Sequence, residues 1–166
     1  MANLLFVCTG NAARSVMAST MMKAQNLTHE IDGAGTFSIS GLPMSQRTRS
    51  ALAKKGFSDP DHRSQQLEKQ HCAWADLIVV FEKEHIDYIR RHHSEFVQIA
   101  GSLPRIATNL RQGEEELHDR ILELRLGHSD FAAWEEVIDP AGGDQDVFDS
   151  SAEEIFSFIS QLALRL

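Results

Sequence analysis

Residues 8 to 15 read Cys-Thr-Gly-Asn-Ala-Ala-Arg-Ser and follow the apolar run Leu4-Leu5-Phe6-Val7. A cysteine that ends a buried strand, with an arginine and a serine opening a helix just beyond, has the makings of a nucleophile inside an anion cradle. The N–H groups of a short loop entering a helix can turn towards one point and hold an anion there. Gly10 supplies the positive φ or close approach such a loop needs, and Asn11 is the non-glycine type that best tolerates a left-handed backbone. Arg14 offers a planar fork that matches phosphate-like oxygens in pairs. The expected phosphate-binding residues are therefore Thr9, Gly10, Asn11, Ala12, Ala13, Arg14 and Ser15, with the sulfur of Cys8 held where it can attack phosphorus. The same donors would favour the thiolate of Cys8 over its thiol. The Ser15 hydroxyl would donate to the sulfur and make it a better leaving group in a second step.

Phosphoryl transfer also needs a proton for the leaving atom, so an acid on a loop is required. Asp139-Pro140-Ala141-Gly142-Gly143, after the apolar pair Val137-Ile138, is the best candidate for a turn hanging over a pocket mouth. Asp144, Asp146 and Asp149 follow closely, and their like charge would help keep Asp139 protonated, as a general acid must be.

The elements around these loops read as strands alternating with helices. Leu4–Val7, Ile31–Thr36, Leu77–Phe81 and Phe96–Ile99 are the expected strands. Helices are expected from Ser15 to near Gln25, from Met44 to Gly56 with Ser45 as N-cap, and from Lys83 to Arg91. Another is expected from Glu114 to Leu126, with Leu117, Ile121 and Leu124 inward, Leu122 at the margin and the Glu114–Glu116 run against the positive end of the dipole. The last runs from about Ser151 to Leu166, with Ser150 and Glu153, or Ser151 and Glu154, forming a capping box. Such alternation implies βαβ units and a parallel sheet covered on both faces. With 166 residues and no linker or repeat, one domain over residues 1–166 is expected.

Composition narrows the functional classes. A net charge of −8 argues against nucleic-acid binding, so any anion must be drawn by locally aimed donors. No apolar stretch approaches the roughly 18 residues that span a bilayer, and no basic leader with a cleavage site opens the chain, so neither a membrane partner nor export is expected. The two cysteines, Cys8 and Cys72, are too few for a disulfide scaffold and suit a reducing, cytoplasmic setting. No metal or other cofactor is expected. Cys72 beside His71 lacks zinc-site spacing, His92 and His93 would diverge on a helix, and His85 and His92 fall on a basic stretch that reads as a solvated face. Arg47, Arg49, Lys54 and Lys55 read as the exposed side of a helix.

Taken together, these motifs resemble the low-molecular-weight protein tyrosine phosphatases over nearly the whole chain. Cys8 to Ser15 matches that family's loop, Gly33-Ala34-Gly35-Thr36 resembles its Ser-Ala-Gly-Thr turn, and Ala75-Asp76-Leu77-Ile78 resembles the entry to its third strand. His62 and Asp139-Pro140 also fall where the family places such residues. The resemblance implies a three-layer α/β/α fold with a four-stranded parallel sheet and flavodoxin-like winding. It further implies a metal-free, two-step hydrolysis of phosphotyrosine proteins or small aryl phosphates, with phosphate or another oxyanion held in the loop. Cys8 would be the nucleophile, Arg14 the phosphate clamp, Asp139 the acid and then base, and Asn11, Ser15 and His62 the supporting network. Four departures stand out. Ala13 replaces a second loop cysteine, Gly33 replaces the serine of the turn, Val16 replaces a proline, and Ala141-Gly142 replaces the aromatics after Asp-Pro. Phe37 and Phe148 are the candidates for gripping a substrate ring. Two alternatives stay open: an arsenate reductase passing arsenic to a small thiol, and a catalytically weak phosphate-binding regulatory module. A thioredoxin-coupled arsenate reductase would need two further cysteines, which Cys72 alone does not supply.

Overall fold

The computed structural model describes residues 1–25 and 28–166. Its centre is a four-stranded sheet of β1 (Asn3–Cys8), β2 (Glu30–Gly35), β3 (Leu77–Val80) and β4 (Ala100–Ser102) in the order β2-β1-β3-β4. Every pairing is parallel, with Leu5 opposite Asp32 and Ile78, and Val79 opposite Gly101. Among the described residues seven α-helices accompany it: α1 (Arg14–Lys23), α2 (Gln46–Lys54), α3 (Lys69–Trp74), α4 (Lys83–His92), α5 (Leu103–Asn109), α6 (Leu117–Glu123) and α7 (Gln145–Ala163).

Alternation along the strands divides the interior into two cores. Leu4, Phe6, Cys8, Leu77, Val79 and Phe81 face α1, α2, α5 and α7, where they meet Met17, Met21, Leu52, Ile106, Ile155 and Ile159. Leu5, Val7, Ala34, Ile78 and Val80 face the other way, onto Cys72 of α3 and Ile86 and Ile89 of α4. Apolar residues on both sides of β1 and β3 produce the unbroken hydrophobic runs that made these two strands legible. The strand order reverses direction around β1 and β3, which places the ends of both at a topological switch point, the usual ligand crevice of open parallel sheets.

Several boundaries differ from expectation for identifiable reasons. Residues Ser94–Ile99 form a 3-10 helix, and the fourth strand is the following Ala-Gly-Ser. It carries no apolar run to betray it, because the Leu126 side chain fills the space a Cβ on Gly101 would need. Helix α6 is shorter than the sequence suggests: Glu114–Glu116 precede it, and Glu115 pairs with Arg111 instead of complementing a dipole. Leu122 is largely exposed while Ile121 is buried. Helix α7 begins at Gln145, well before Ser151, because Asp144 caps it by accepting the Val147 N–H at 3.2 Å. The serines at 150 and 151 thus lie inside the helix, and the expected capping box is absent. Helices α3 and α5 had no expectation; each is only six or seven residues long, too short for a helical period to declare itself. Ser45 does cap α2, and the chain leaves that helix through Gly56 at φ 81°. The basic residues of α2 join it to the last helix: Lys54 and Lys55 pair with Asp149 and Glu153, and Arg47 donates to the Gly143 carbonyl at 2.7 Å.

Candidate active site

Strand β1 ends with Cys8 and α1 begins with Arg14, so residues 9–13 must turn the chain within a few ångströms. The backbone of the turn is fastened through its carbonyls. Those of Cys8 and Thr9 accept from the N–H groups of Thr36 and Phe37, at 2.9 Å each. The Gly10 carbonyl accepts from the Ser38 hydroxyl and the Asn11 carbonyl from His62 Nε2, again at 2.9 Å. That of Ala12 accepts from the Thr48 hydroxyl and the Ser45 N–H, and that of Ala13 from the Met17 N–H. By contrast, the N–H groups of residues 9–13 have no protein acceptor among the described residues. With its carbonyls drawn outward, the loop presents a row of free donors, which is the physical definition of an anion nest.

Of the two positions the sequence offered for a left-handed backbone, the positive φ falls on Asn11, at 52°, and not on Gly10. A Cβ added at Gly10 would meet nothing within 4 Å, so this glycine leaves the mouth open without relieving strain. The glycine required by contact is Gly35, where a Cβ would stand 2.4 Å from the Thr9 carbonyl oxygen and 3.0 Å from the Asn11 nitrogen. Asn11 is fully buried; its Oδ1 accepts from the Gln65 N–H at 3.1 Å and its Nδ2 donates to Ser15 Oγ at 2.9 Å. Since Ser15 Oγ already accepts from Asn11, its own proton is free for Cys8 Sγ, 2.9 Å away. Gly33 lies against this asparagine, and a Cβ there would come within 3.0 Å of Asn11 Nδ2. Burial pushes the His62 pKa down, against the bond to the Asn11 carbonyl, which suits a neutral ring donating from Nε2.

Arg14 is 1% exposed and is held from two sides. Its NH1 donates to Glu82 Oε2 and to the Val137 carbonyl at 3.0 Å each, while its NH2 faces Asp139 Oδ2 at 3.5 Å. The first and last motifs of the chain therefore meet at one guanidinium. The root of the Asp139 loop is anchored by Val137, whose N–H donates to the Phe81 carbonyl at 2.7 Å. Buried Glu135 anchors it further: burial works against its ionisation, but bonds from Arg105, the Ala132 N–H and Ser102 more than compensate and lower its pKa. Of the acidic residues that follow Asp139, Asp144 caps α7 and Asp149 pairs with Lys54.

Two residues that the sequence did not place at the site complete the surroundings. Glu82 follows the end of β3 and holds Arg14. His85, expected on a solvated face, is fully buried. Its Nδ1 accepts from the N–H groups of Phe81 and Glu82 at 3.2 Å each, so the proton resides on Nε2, 3.0 Å from the Thr9 hydroxyl. Burial first, and then the charge of Arg14, push its pKa down to about 3. The available signal was positional: Glu82 and His85 follow directly on the carboxyl end of the clearest strand, where open parallel sheets place their ligands. Of the two aromatic candidates, Phe148 is buried in the core, whereas Phe37 is 84% exposed and bonds through its N–H to the cysteine loop. Cys72 is buried on the opposite side of the sheet, where desolvation pushes its pKa up to about 11. Among the described residues, no group of three or more His, Cys, Asp or Glu is placed to hold a metal ion, and no helix is long and apolar enough to cross a membrane.

A loop of free amides beside a thiol, a buried arginine and a loop carboxylate thus meet at the carboxyl ends of the strands of a parallel α/β sheet. The sequence profile of the low molecular weight phosphotyrosine protein phosphatases matches residues 3–119. The chain belongs to that family and is a phosphatase. It is similar to a protein-arginine-phosphatase of Geobacillus stearothermophilus, 29% identical over 98% of this chain and 95% of the relative. It is also similar to a probable low molecular weight protein-tyrosine-phosphatase, AmsI, of Erwinia amylovora, 35% identical over 54% of this chain and 62% of the relative. Among solved structures, the low molecular weight protein tyrosine phosphatase of T. tengcongensis superposes with a TM-score of 0.79 at 26% identity, over all of both chains. The YwlE arginine phosphatase of G. stearothermophilus superposes at 0.80 with 27% identity, over 98% of this chain and 91% of the other.

Proposed function

We propose that this protein hydrolyses phosphotyrosine and related aryl phosphate monoesters through a phosphocysteine at Cys8. The observation that carries the reading is the loop in which the carbonyls are tied outward, the amides are free, and a thiol and a guanidinium border the same nest. Three equatorial phosphate oxygens would be held by the amides of residues 9–13 and the outward nitrogen of Arg14, leaving phosphorus in line with the sulfur. The Cys8 thiolate forms the S–P bond as the P–O bond breaks, and Asp139 gives its proton to the departing phenolate. Asp139 then takes a proton from water, the water oxygen bonds to phosphorus, and the thiolate leaves, helped by the Ser15 hydroxyl. Exposed Phe37 would line the ring of an aryl substrate.

A second reading, phosphoarginine as substrate, is favoured by the protein-arginine-phosphatase aligned over nearly the whole chain. A thioredoxin-coupled arsenate reductase gains no relay, since Cys72 lies in the other core; the version that passes arsenic to a small thiol needs only Cys8. The test is a side-by-side measurement of kcat/KM on phosphotyrosine, phosphoarginine and phosphoserine peptides, with mass analysis of Cys8 after acid quench. Preference for phosphotyrosine with phosphate trapped on Cys8 supports the first reading, and preference for phosphoarginine the second. Unaltered turnover in Cys8→Ser overturns both.

A further inference from the structure

Behind the Asp139 loop lies a second concavity, lined by Ile138, Asp146, Val147, Ser150, Ser151 and Glu154, with a volume of about 250 Å³. Val147, Ser150, Ser151 and Glu154 recur at helical spacing along one face of α7, and Ile138 forms the opposite wall. The groove is smaller than the about 300–1,000 Å³ typical of sites for drug-sized ligands. Its scale suits a single side chain.

Its chemistry is selective. Ile138 is 71% and Val147 39% exposed, so both present apolar surface to the groove. Asp149 and Glu153, on the face of α7 turned towards α2, are paired with lysines, but Asp146 and Glu154 have no ion partner among the described residues. Burial pushes the Glu154 pKa up, the direction expected of a partly desolvated carboxylate. Ser151 lines the same groove at 6% exposure, and its hydroxyl has no hydrogen-bond partner among the described residues. Apolar walls with unpaired carboxylates beside them fit an aliphatic stem ending in a cationic head.

We propose that this groove receives an arginine or lysine side chain of the phosphorylated protein, at a position flanking the phosphorylated residue. Residue 138 lies in the groove wall and residue 139 bears the carboxylate near Arg14, so a segment anchored here lies across the mouth of the active site. The inference rests on the phosphoprotein reading above and gives it a sequence preference: a basic flank, where the net charge of −8 sets only a general attraction.

The experiment uses phosphopeptides in which one arginine is moved through the positions on either side of the phosphorylated residue, with p-nitrophenyl phosphate as a substrate lacking flanks. At one register, arginine should lower KM about fivefold against alanine, the effect of a single partly buried ion pair. Glu154→Gln should remove that advantage and Glu154→Lys should reverse it, both leaving p-nitrophenyl phosphate turnover unchanged. Equal KM at every register, or the same register effect in all three proteins, overturns the groove assignment while leaving the phosphatase reading intact. If p-nitrophenyl phosphate is not hydrolysed by the unaltered protein, the catalytic reading fails. Direct titration of the peptides then decides the groove, which requires tighter binding of the arginine peptide that is sensitive to Glu154.

Discussion

Each carbonyl from Cys8 to Ala13 accepts a hydrogen bond from a neighbouring element, and Asn11, Arg14 and Ser15 inside that loop are buried. Residues 138–144 meet the same guanidinium from the other side but are mostly exposed. They are held by local bonds, from the Ala141 N–H to Asp139 Oδ1 and from the Gly143 N–H to the Pro140 carbonyl, and by Arg47. The difference suits the tasks proposed for them. Donors for a phosphoryl group must already point at it, because reorientation during reaction costs energy. A proton donor must admit substrate first, and an exposed loop on a fixed root allows that.

Four measurements would break or sharpen this contrast. The largest effect is expected from peroxide: stepwise oxidation of Cys8 to the sulfinic acid should abolish activity in a way thiols do not restore. Ala13 supplies no neighbouring sulfur and Cys72 lies across the sheet. Ala13→Cys should make recovery by thiol nearly complete; full recovery in the unaltered protein would contradict the prediction. Next, Asp139→Asn should lower kcat by about 10²–10⁴-fold, the usual range for a general acid, with little change in thermal midpoint. A large loss of stability would mean that the exposed loop is structural after all.

Asn11→Ala should destabilise by about 2–3 kcal/mol in denaturant unfolding, since it loses buried hydrogen bonds and the tolerance for positive φ. Pro140→Ala in the other loop, as its counterpart, should change stability by less than about 1 kcal/mol. A pH-dependent effect of similar size concerns His85, held near pKa 3 by burial and Arg14. Unfolded, the ring titrates near its ordinary 6.5, so between these values the unfolded chain binds more protons and stability falls as pH falls, by at most about 1.4 kcal/mol per pH unit. His85→Asn should flatten that slope between pH 6.5 and 4. An unchanged slope would place the linkage on other groups.

Much of the site was legible because its chemistry is local. Cys8, Arg14 and the intervening residues share one loop, and β-branched or apolar runs marked β1 and β3 on either side of it. Small residues hid the rest: β4 is Ala-Gly-Ser, and its burial comes from Leu126, far along the chain. Glu82 and His85 were hidden differently. In sequence they resemble any charged helix start, and only the β1–β3 pairing brings them beside Thr9 and Arg14.

By itself, the sequence determined the parallel α/β class, the cysteine loop and an acid on a distant Asp-Pro turn, because each is written in residue types a few positions apart. Tertiary structure decided what could not be local: that Asn11 and not Gly10 takes the strained backbone, that the loop carbonyls are all drawn outward, and that Asp139 reaches Arg14. It also decided that a histidine on a basic stretch is buried and neutral. The physical reason is common to all four. Hydrogen-bond satisfaction and desolvation depend on which segments pack together, and the sheet order β2-β1-β3-β4 settles that.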